Sequence, residues 1–249
     1  MRGPQNNGES LGYSALLALI VAGSANPALA AESDSTTNAV ADSRIESVTV
    51  TARRREEAIQ DVPLAVSVLN ADAIEQTGTI NVGRLSQLQP SVQFYSSNPR
   101  NSSVNIRGLG TPFGLTNDGI EPGVGIYIDQ VYYNRNATAT FDFLDVERVE
   151  ILRGPQGTLY GKNTTAGAVN ITSRKPTFTP EARVELTHGN YDYLQSKASV
   201  SGPLIGDKLA GRLSASYTSR DGTIYNVATG QHINELDNRG VKGQLLWQA

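Results

Sequence analysis

Short alternating runs of apolar and polar residues, separated by glycine and proline, dominate this chain from about residue 45 onward. Val149-Glu150-Ile151-Leu152 and Ala168-Val169-Asn170-Ile171-Thr172 are rich in β-branched residues and predict strands, and Gly154, Pro155, Gly157, Gly161 and Gly167 break the chain between them. Ile45–Ala52 alternates so that Val48 and Val50 share one face while Ser47, Thr49 and Thr51 share the other. Further strands are predicted at Leu64–Leu69, Asn105–Arg107 and Gly125–Val131. Ala71–Thr77 and Val82–Leu88 have helical spacing, with Asn70 and Asn81 placed as N-caps, Gly78 as a stop and Pro90 forcing an exit. Long polar loops occupy Ser96–Ser103, Thr111–Gly123 and Tyr132–Asp142, and loops of that length in a compact domain usually serve a function.

Past Pro176 and Pro180 the alternation lengthens. Leu209, Gly211, Leu213, Ala215 and Tyr217 fall on one face of a strand, with Arg212, Ser214, Ser216 and Thr218 on the other. Val241, Gly243, Leu245 and Trp247, opposed by Lys242 and Gln244, repeat the pattern, and Arg183–His188 and Tyr193–Ser201 bring the total to four candidate strands. Two short turns and one long polar connection, Arg220–Asn238, separate them. A membrane-spanning β-barrel gives this periodicity, and so does a soluble antiparallel sheet with one wet face.

At the N-terminus, Arg2, an apolar run Ala15–Gly23, Pro27 and Ala28-Leu29-Ala30 have the layout of a secretory signal peptide cleaved after Ala30. A membrane anchor is the alternative, but the run is short of the ~20 residues that span a bilayer. Glu32–Asp42 has no apolar period and is expected to be a mobile tail.

Composition narrows the chemistry. The chain has no cysteine, which removes disulfides and thiolate sites, and its two histidines, His188 and His232, lie far apart. A net charge of −3 and a pI near 5.5 argue against a nucleic-acid partner. Gly157-Thr158-Leu159-Tyr160-Gly161-Lys162-Asn163 fails as a phosphate loop, with three residues between its glycines and Asn163 after the lysine, and Gly108-Leu109-Gly110 lacks the third glycine of a dinucleotide fingerprint. Neither a Ser-His-Asp spacing nor a metal cluster supports an enzyme, and no cofactor is expected.

Val149–Ile171, reading VEILRGPQGTLYGKNTTAGAVNI, resembles the plug domain of TonB-dependent outer-membrane receptors. Asn105-Ile106-Arg107-Gly108-Leu109-Gly110 and Gly125-Ile126-Tyr127-Ile128-Asp129-Gln130-Val131 resemble two further plug signatures in the expected order. The resemblance implies an α+β plug domain followed by the first antiparallel strands of a transmembrane β-barrel. It divides the chain into a signal peptide (1–30), a flexible tail with a TonB-box-like strand (31–60), the plug (61–176) and about four barrel strands (177–249).

The resemblance also implies roles. Ile45, Glu46, Ser47, Val48, Thr49, Val50, Thr51 and Ala52 would form the TonB box, adding as a strand to the edge of the inner-membrane partner TonB; an ordinary first strand of the plug sheet is the other reading. Arg107, Gly108, Glu150, Arg153, Gly154, Gly157, Gly161 and Asn170 belong to the structural plug motif. Tyr95, Arg100, Phe113, Asn117, Asp118, Tyr132, Tyr133 and Arg135 are candidate contacts for a small polar ligand, with barrel-wall contact as the alternative. Energised uptake of a scarce nutrient follows, iron-siderophore complexes being the default among siderophore, cobalamin and glycan cargoes. Plug-bearing transporters use about 22 strands, so four imply an N-terminal fragment, a truncated gene or a partial sequence. The rival is a soluble periplasmic binding module or an inactive truncated product.

Overall fold

The computed structural model describes residues 48–112 and 119–248, so the signal peptide, most of the tail, Ile45, Glu46, Ser47, Phe113, Asn117 and Asp118 lie outside the described residues. The chain enters as a two-residue strand, β1 (Thr49–Val50), antiparallel to β2 (Glu57–Ala58). A 3-10 turn, Ile59–Asp61, leads to β3 (Ala65–Asn70) and helix α1 (Ala71–Gln76). The Asn70 side chain accepts from the Ala73 N–H at 3.0 Å, and Gly78 at φ +61° follows the helix end. Asn81 likewise caps Val82–Gln87 by accepting from Arg84, but this element is a 3-10 helix, since six residues ending at a proline exit do not sustain the α pattern.

A small sheet follows, β4 (Val92–Ser96), β5 (Ser102–Ile106) and β6 (Leu109–Gly110), in sequence order. Arg107 and Gly108, both at positive φ, make the β5–β6 turn. The predicted single strand Gly125–Val131 is instead a hairpin. Asp129 and Gln130, at φ +48° and +68°, turn β7 (Val124–Ile128) back into β8 (Val131–Tyr133). After a 3-10 segment, Asn136–Thr140, come β9 (Val146–Arg153), the one-turn helix α2 (Gly157–Tyr160) and β10 (Gly167–Ser173).

These strands form a five-stranded sheet in the order β3-β9-β10-β7-β8, with only β7 and β10 parallel. Both faces are covered. Val149, Ile151, Val169, Ile171 and Ile126 pack with Ile74, Leu85, Val104 and Ile106 on one side. Leu152, Ala168 and Tyr127 pack with Val50, Ala52, Val62 and Tyr160 on the other. Gly167 shows how closely the middle strands approach: at φ +153°, a Cβ there would lie 2.2 Å from the Leu152 carbonyl oxygen.

The expectation of an unpaired strand at the end of a flexible tail does not hold for Val48–Ala52. The charged run Arg53-Arg54-Arg55-Glu56-Glu57 is a reverse turn, with Glu57 accepting from Arg53 and Arg55, and it folds β1 back onto β2. Val50 and Ala52 are fully buried because they cover the second face of the sheet, leaving Val48 exposed.

The last sheet runs β11 (Glu181–Gly189), β12 (Tyr193–Ile205), β13 (Leu209–Arg220) and, after the hairpin β14 (Ile224–Asn226) and β15 (Gln231–Ile233), β16 (Leu236–Trp247). Its order, β11-β12-β13-β16, is antiparallel throughout and open at both edges, an incomplete barrel. Its amphipathicity is inverted relative to a soluble sheet. Register aligns Val184, Ala198, Ala215 and Val241 across the outer face, and the exposed set there includes Val184, Leu186, Leu213, Val241 and Leu245. Arg212, Ser214 and Thr218 are buried on the inner face against the plug. This is the arrangement that hydrocarbon solvent demands.

An arginine at Val241 meets that solvent directly and costs about 2–4 kcal/mol near the bilayer midplane. Val241→Arg is therefore expected to deplete the protein from the outer-membrane fraction, measured by quantitative blotting, while Gln244→Arg on the inner face does not.

Candidate functional site

Three polar constellations stand out, and β9 or its flanks contribute to the first and the third. The first is built on Glu150 in the middle of β9, a carboxylate with no exposed surface. Alternation turns it away from Val149 and Ile151, into the face covered by the N-terminal segment. Its Oε1 accepts from the Thr51 N–H at 2.7 Å, the Thr51 hydroxyl at 3.0 Å and Arg148 Nε at 2.9 Å, and its Oε2 accepts from Asn170 Nδ2 at 3.3 Å. Asn170 also donates to the Thr51 hydroxyl oxygen at 3.1 Å. Two residues of the plug motif thus grip one residue of the TonB-box-like strand.

Beside this clamp lies an aromatic cluster. Tyr127 donates its hydroxyl proton to the Tyr160 carbonyl at 2.6 Å, with the rings edge-to-face at 4.9 Å. Arg54 donates from Nε to the Leu159 carbonyl at 2.8 Å and lays its guanidinium 5.0 Å from the Tyr160 ring centre. Burial, reinforced by the Glu150 charge, pushes the Tyr160 hydroxyl up to about 12, so it remains a neutral donor toward the Thr51 carbonyl at 3.5 Å.

The second constellation is an open depression of about 1130 Å³ at the end of the sheet where β7 and β10 begin. Arg100, Tyr132 and Arg135 line it, together with Glu121, Asn134, Lys162 and Asn163. Of the ligand candidates, Arg100, Tyr132 and Arg135 are therefore brought together. Tyr133 faces a separate depression of about 670 Å³ between the plug and β16, and Tyr95 lines neither. Lys162, ion-paired with Glu121, and Asn163, donating to the Tyr132 hydroxyl at 2.9 Å, were not anticipated. Their signal was present in the glycine loop, where they figured in the rejected phosphate-loop motif and in the plug signature but were assigned no role of their own.

The third constellation docks the plug to the barrel wall. Asp145, just before β9, accepts from Arg212 and from Ser214 at 2.6 Å, and Arg212 also reaches Glu181. Lys242 bonds Asp129 and Ser173, and Asn238 donates to Asp142 at 2.8 Å. Acidic plug positions thus meet basic or amide positions of the wall. Among the described residues, no group of three or more His, Cys, Asp or Glu side chains is placed to hold a metal.

The clamp and the dock each make a prediction. Glu150→Ala leaves the buried Thr51 N–H without its acceptor, while Arg148 keeps Glu147, and costs about 1–3 kcal/mol, the penalty for an unsatisfied buried donor. Trypsin cleavage within Arg53–Arg55 is expected to accelerate in that variant, read by mass spectrometry of the first products. At Asp145 burial opposes ionisation, but the Arg212 and Ser214 hydrogen bonds outweigh it and hold the carboxyl below its ordinary 3.8. Its stabilisation is fully present above 3.8 and is lost as pH falls below that value through the lowered folded pKa. Asp145→Asn is expected to flatten this acid limb of a thermal-melting profile.

Comparison with known proteins agrees with this geometry. The sequence model of the TonB-dependent receptor plug domain matches residues 58–168. The pesticin receptor of Yersinia enterocolitica is 33% identical over 166 residues, covering 66% of this chain and 24% of that protein. The ferrioxamine B receptor of Salmonella typhimurium is 30% identical over 162 residues, covering 62% and 22% respectively. Superposition on the crystal structure of the ferric yersiniabactin uptake receptor FyuA from Yersinia pestis gives a TM-score of 0.63 at 30% identity, over 73% of this chain and 28% of that one. The chain spans about a quarter of the length of these relatives. Its ordered plug motifs, central sheet and outward-apolar strands place it in the family of TonB-dependent receptors of the Gram-negative outer membrane.

Proposed function

We propose that this chain forms the plug and first wall of a receptor that takes up a scarce nutrient as a small anionic chelate, an iron-siderophore complex being the leading case. The observation that carries the reading is the depression at the end of the plug sheet. Three cationic side chains, Arg100, Arg135 and Lys162, line it beside the Tyr132 ring and the amides of Asn134 and Asn163, and among the described lining residues Glu121 is the one carboxylate. Delocalised guanidinium groups and aromatic faces suit a bulky anion with planar chelating groups.

Uptake on this reading is transport without covalent chemistry. Ile45–Ala52 supplies the strand that pairs with TonB through main-chain hydrogen bonds, and the inner membrane supplies the energy. Because Val50 and Thr51 are docked on the plug, that pairing requires the segment to leave the sheet. The exposed apolar face of β11, β12, β13 and β16 favours a membrane-embedded receptor over a soluble plug module.

Equilibrium binding of two ferric complexes tests the ligand class. A ferric tris-catecholate, which carries net negative charge, is expected to bind, and Arg135→Gln to weaken it about tenfold, the worth of one lost charge-assisted contact. Equal binding of a cationic ferric hydroxamate, or indifference to Arg135→Gln, would contradict the anionic-chelate assignment.

A further inference from the structure

On the outward face of the wall, the layer of apolar side chains is interrupted near one end. Register sets Gly202 beside Gly211 and Leu213 beside Gly243, and an open groove of about 570 Å³ runs over these positions, flanked by Val200, Leu204 and Leu245. A Cβ at Gly243 would meet nothing within 4 Å, so this position is open floor. Leu204 makes one side. The β12–β13 register shifts between Pro203 and Ile205, and the Leu204 side chain leans over Gly211, where a Cβ would lie 2.8 Å from it.

The groove ends at a charged rim. Gly206–Lys208 turns β12 into β13, with the Lys208 N–H donating to the Ile205 carbonyl at 3.0 Å, and Asp207 and Lys208 are exposed. Lys197 and Lys242 of the same wall are ion-paired with Glu185 and Asp129, whereas Asp207 and Lys208 form no ion pair among the described residues. Trp247, opposite Leu209 in register, is exposed at the same level. An indole between an apolar band and a charged turn marks a membrane interface. Barrels of this kind keep short turns on the periplasmic side and long connections outside, so the rim faces the periplasmic leaflet, opposite the long β13–β16 connection.

We propose that the groove and its rim hold one phospholipid with a zwitterionic headgroup bearing a primary ammonium. One acyl chain lies over Gly211 and Gly243, the phosphate meets Lys208 and the ammonium meets Asp207. Hydrocarbon solvent gives no hydrophobic preference for one acyl chain over another, so the polar end has to select the lipid. Lys208 alone would accept any phosphate. Asp207 beside it repels a headgroup of net negative charge, accepts hydrogen bonds from a primary ammonium and receives none from a trimethylammonium. The length also fits: Lys208 to Leu213 at ~3.3 Å per residue is ~16 Å, close to half of a hydrocarbon core of ~30 Å. Because the groove is on the face of the wall turned away from the plug, the assignment does not depend on what the depression binds.

Native mass spectrometry of the receptor released from detergent micelles, after titration with one lipid at a time, reads the binding. Phosphatidylethanolamine is expected to leave one adduct and to bind about tenfold more tightly than phosphatidylglycerol or phosphatidylcholine, the effect of one charge-assisted hydrogen bond. Gly243→Leu fills the floor without a clash and is expected to weaken that binding about tenfold. Lys208→Gln is expected to do the same. Asp207→Asn is expected to remove the preference for phosphatidylethanolamine over phosphatidylglycerol. Val184→Leu, which enlarges an exposed side chain elsewhere on the outward face, is expected to change nothing.

Equal retention of the three lipids, indifferent to Gly243→Leu and Lys208→Gln, would mean ordinary boundary lipid and overturn the site. Tighter binding of phosphatidylglycerol than of phosphatidylethanolamine would overturn the zwitterionic assignment. Asp207 and Lys208 are exposed turn residues, so their variants decide the matter even if Gly243→Leu fails to assemble.

Discussion

A carboxylate buried in the middle of a sheet governs how this plug is assembled. Glu150 lies on β9, flanked by β3 and β10, where an unpaired charge would be prohibitively costly. Four hydrogen bonds from three residues satisfy it, and the two from Thr51 come from 99 positions earlier in the chain. The sheet therefore cannot bury this face until the N-terminal segment arrives. Val50 and Ala52 add the apolar cover, and Arg54 closes the turn against the glycine loop.

The wall obeys a different constraint. Its strands turn polar residues inward, because the outward face meets hydrocarbon, and those polar residues then need partners within the lumen. The plug supplies them. Asp145, Asp129 and Asp142 meet Arg212, Lys242 and Asn238, and Glu75 on α1 meets Arg183 at 2.5 Å. Charge sorting of this kind holds the body of the plug to the wall through β9, β10 and α1. Among the described residues, the side-chain hydrogen bonds of residues 48–55 are with the plug and with Glu57 of the same turn. The two attachments are therefore distinct, one made on the face of the plug sheet and the other between the plug and the wall.

Much of this fold was legible because its signals are local. Asn70 and Asn81 announced their caps, the alternation in β9 and β10 announced strands, and the run from Leu209 announced a two-faced wall. What stayed hidden depends on distant partners or very short elements. The docking of Val50 and Thr51 needs Glu150, which no local pattern connects to them. β4 and the β14–β15 hairpin are too short or too irregular to display a period, and Asp129-Gln130 turns the chain without glycine. The depression was half legible: polar loops drew attention to Arg100, Tyr132 and Arg135, while Lys162 and Asn163 come from a loop whose glycines pointed only to structure.

Amide hydrogen exchange at Thr51 tests the central claim directly, because that N–H is committed to a buried carboxylate whereas Arg55, four residues on, sits exposed in the turn. The account predicts that the Thr51 amide exchanges about a hundredfold more slowly than that of Arg55 in the unliganded protein. Equal, rapid exchange at both positions would mean that the segment is free in solution, and the clamp at Glu150 would not be what holds it.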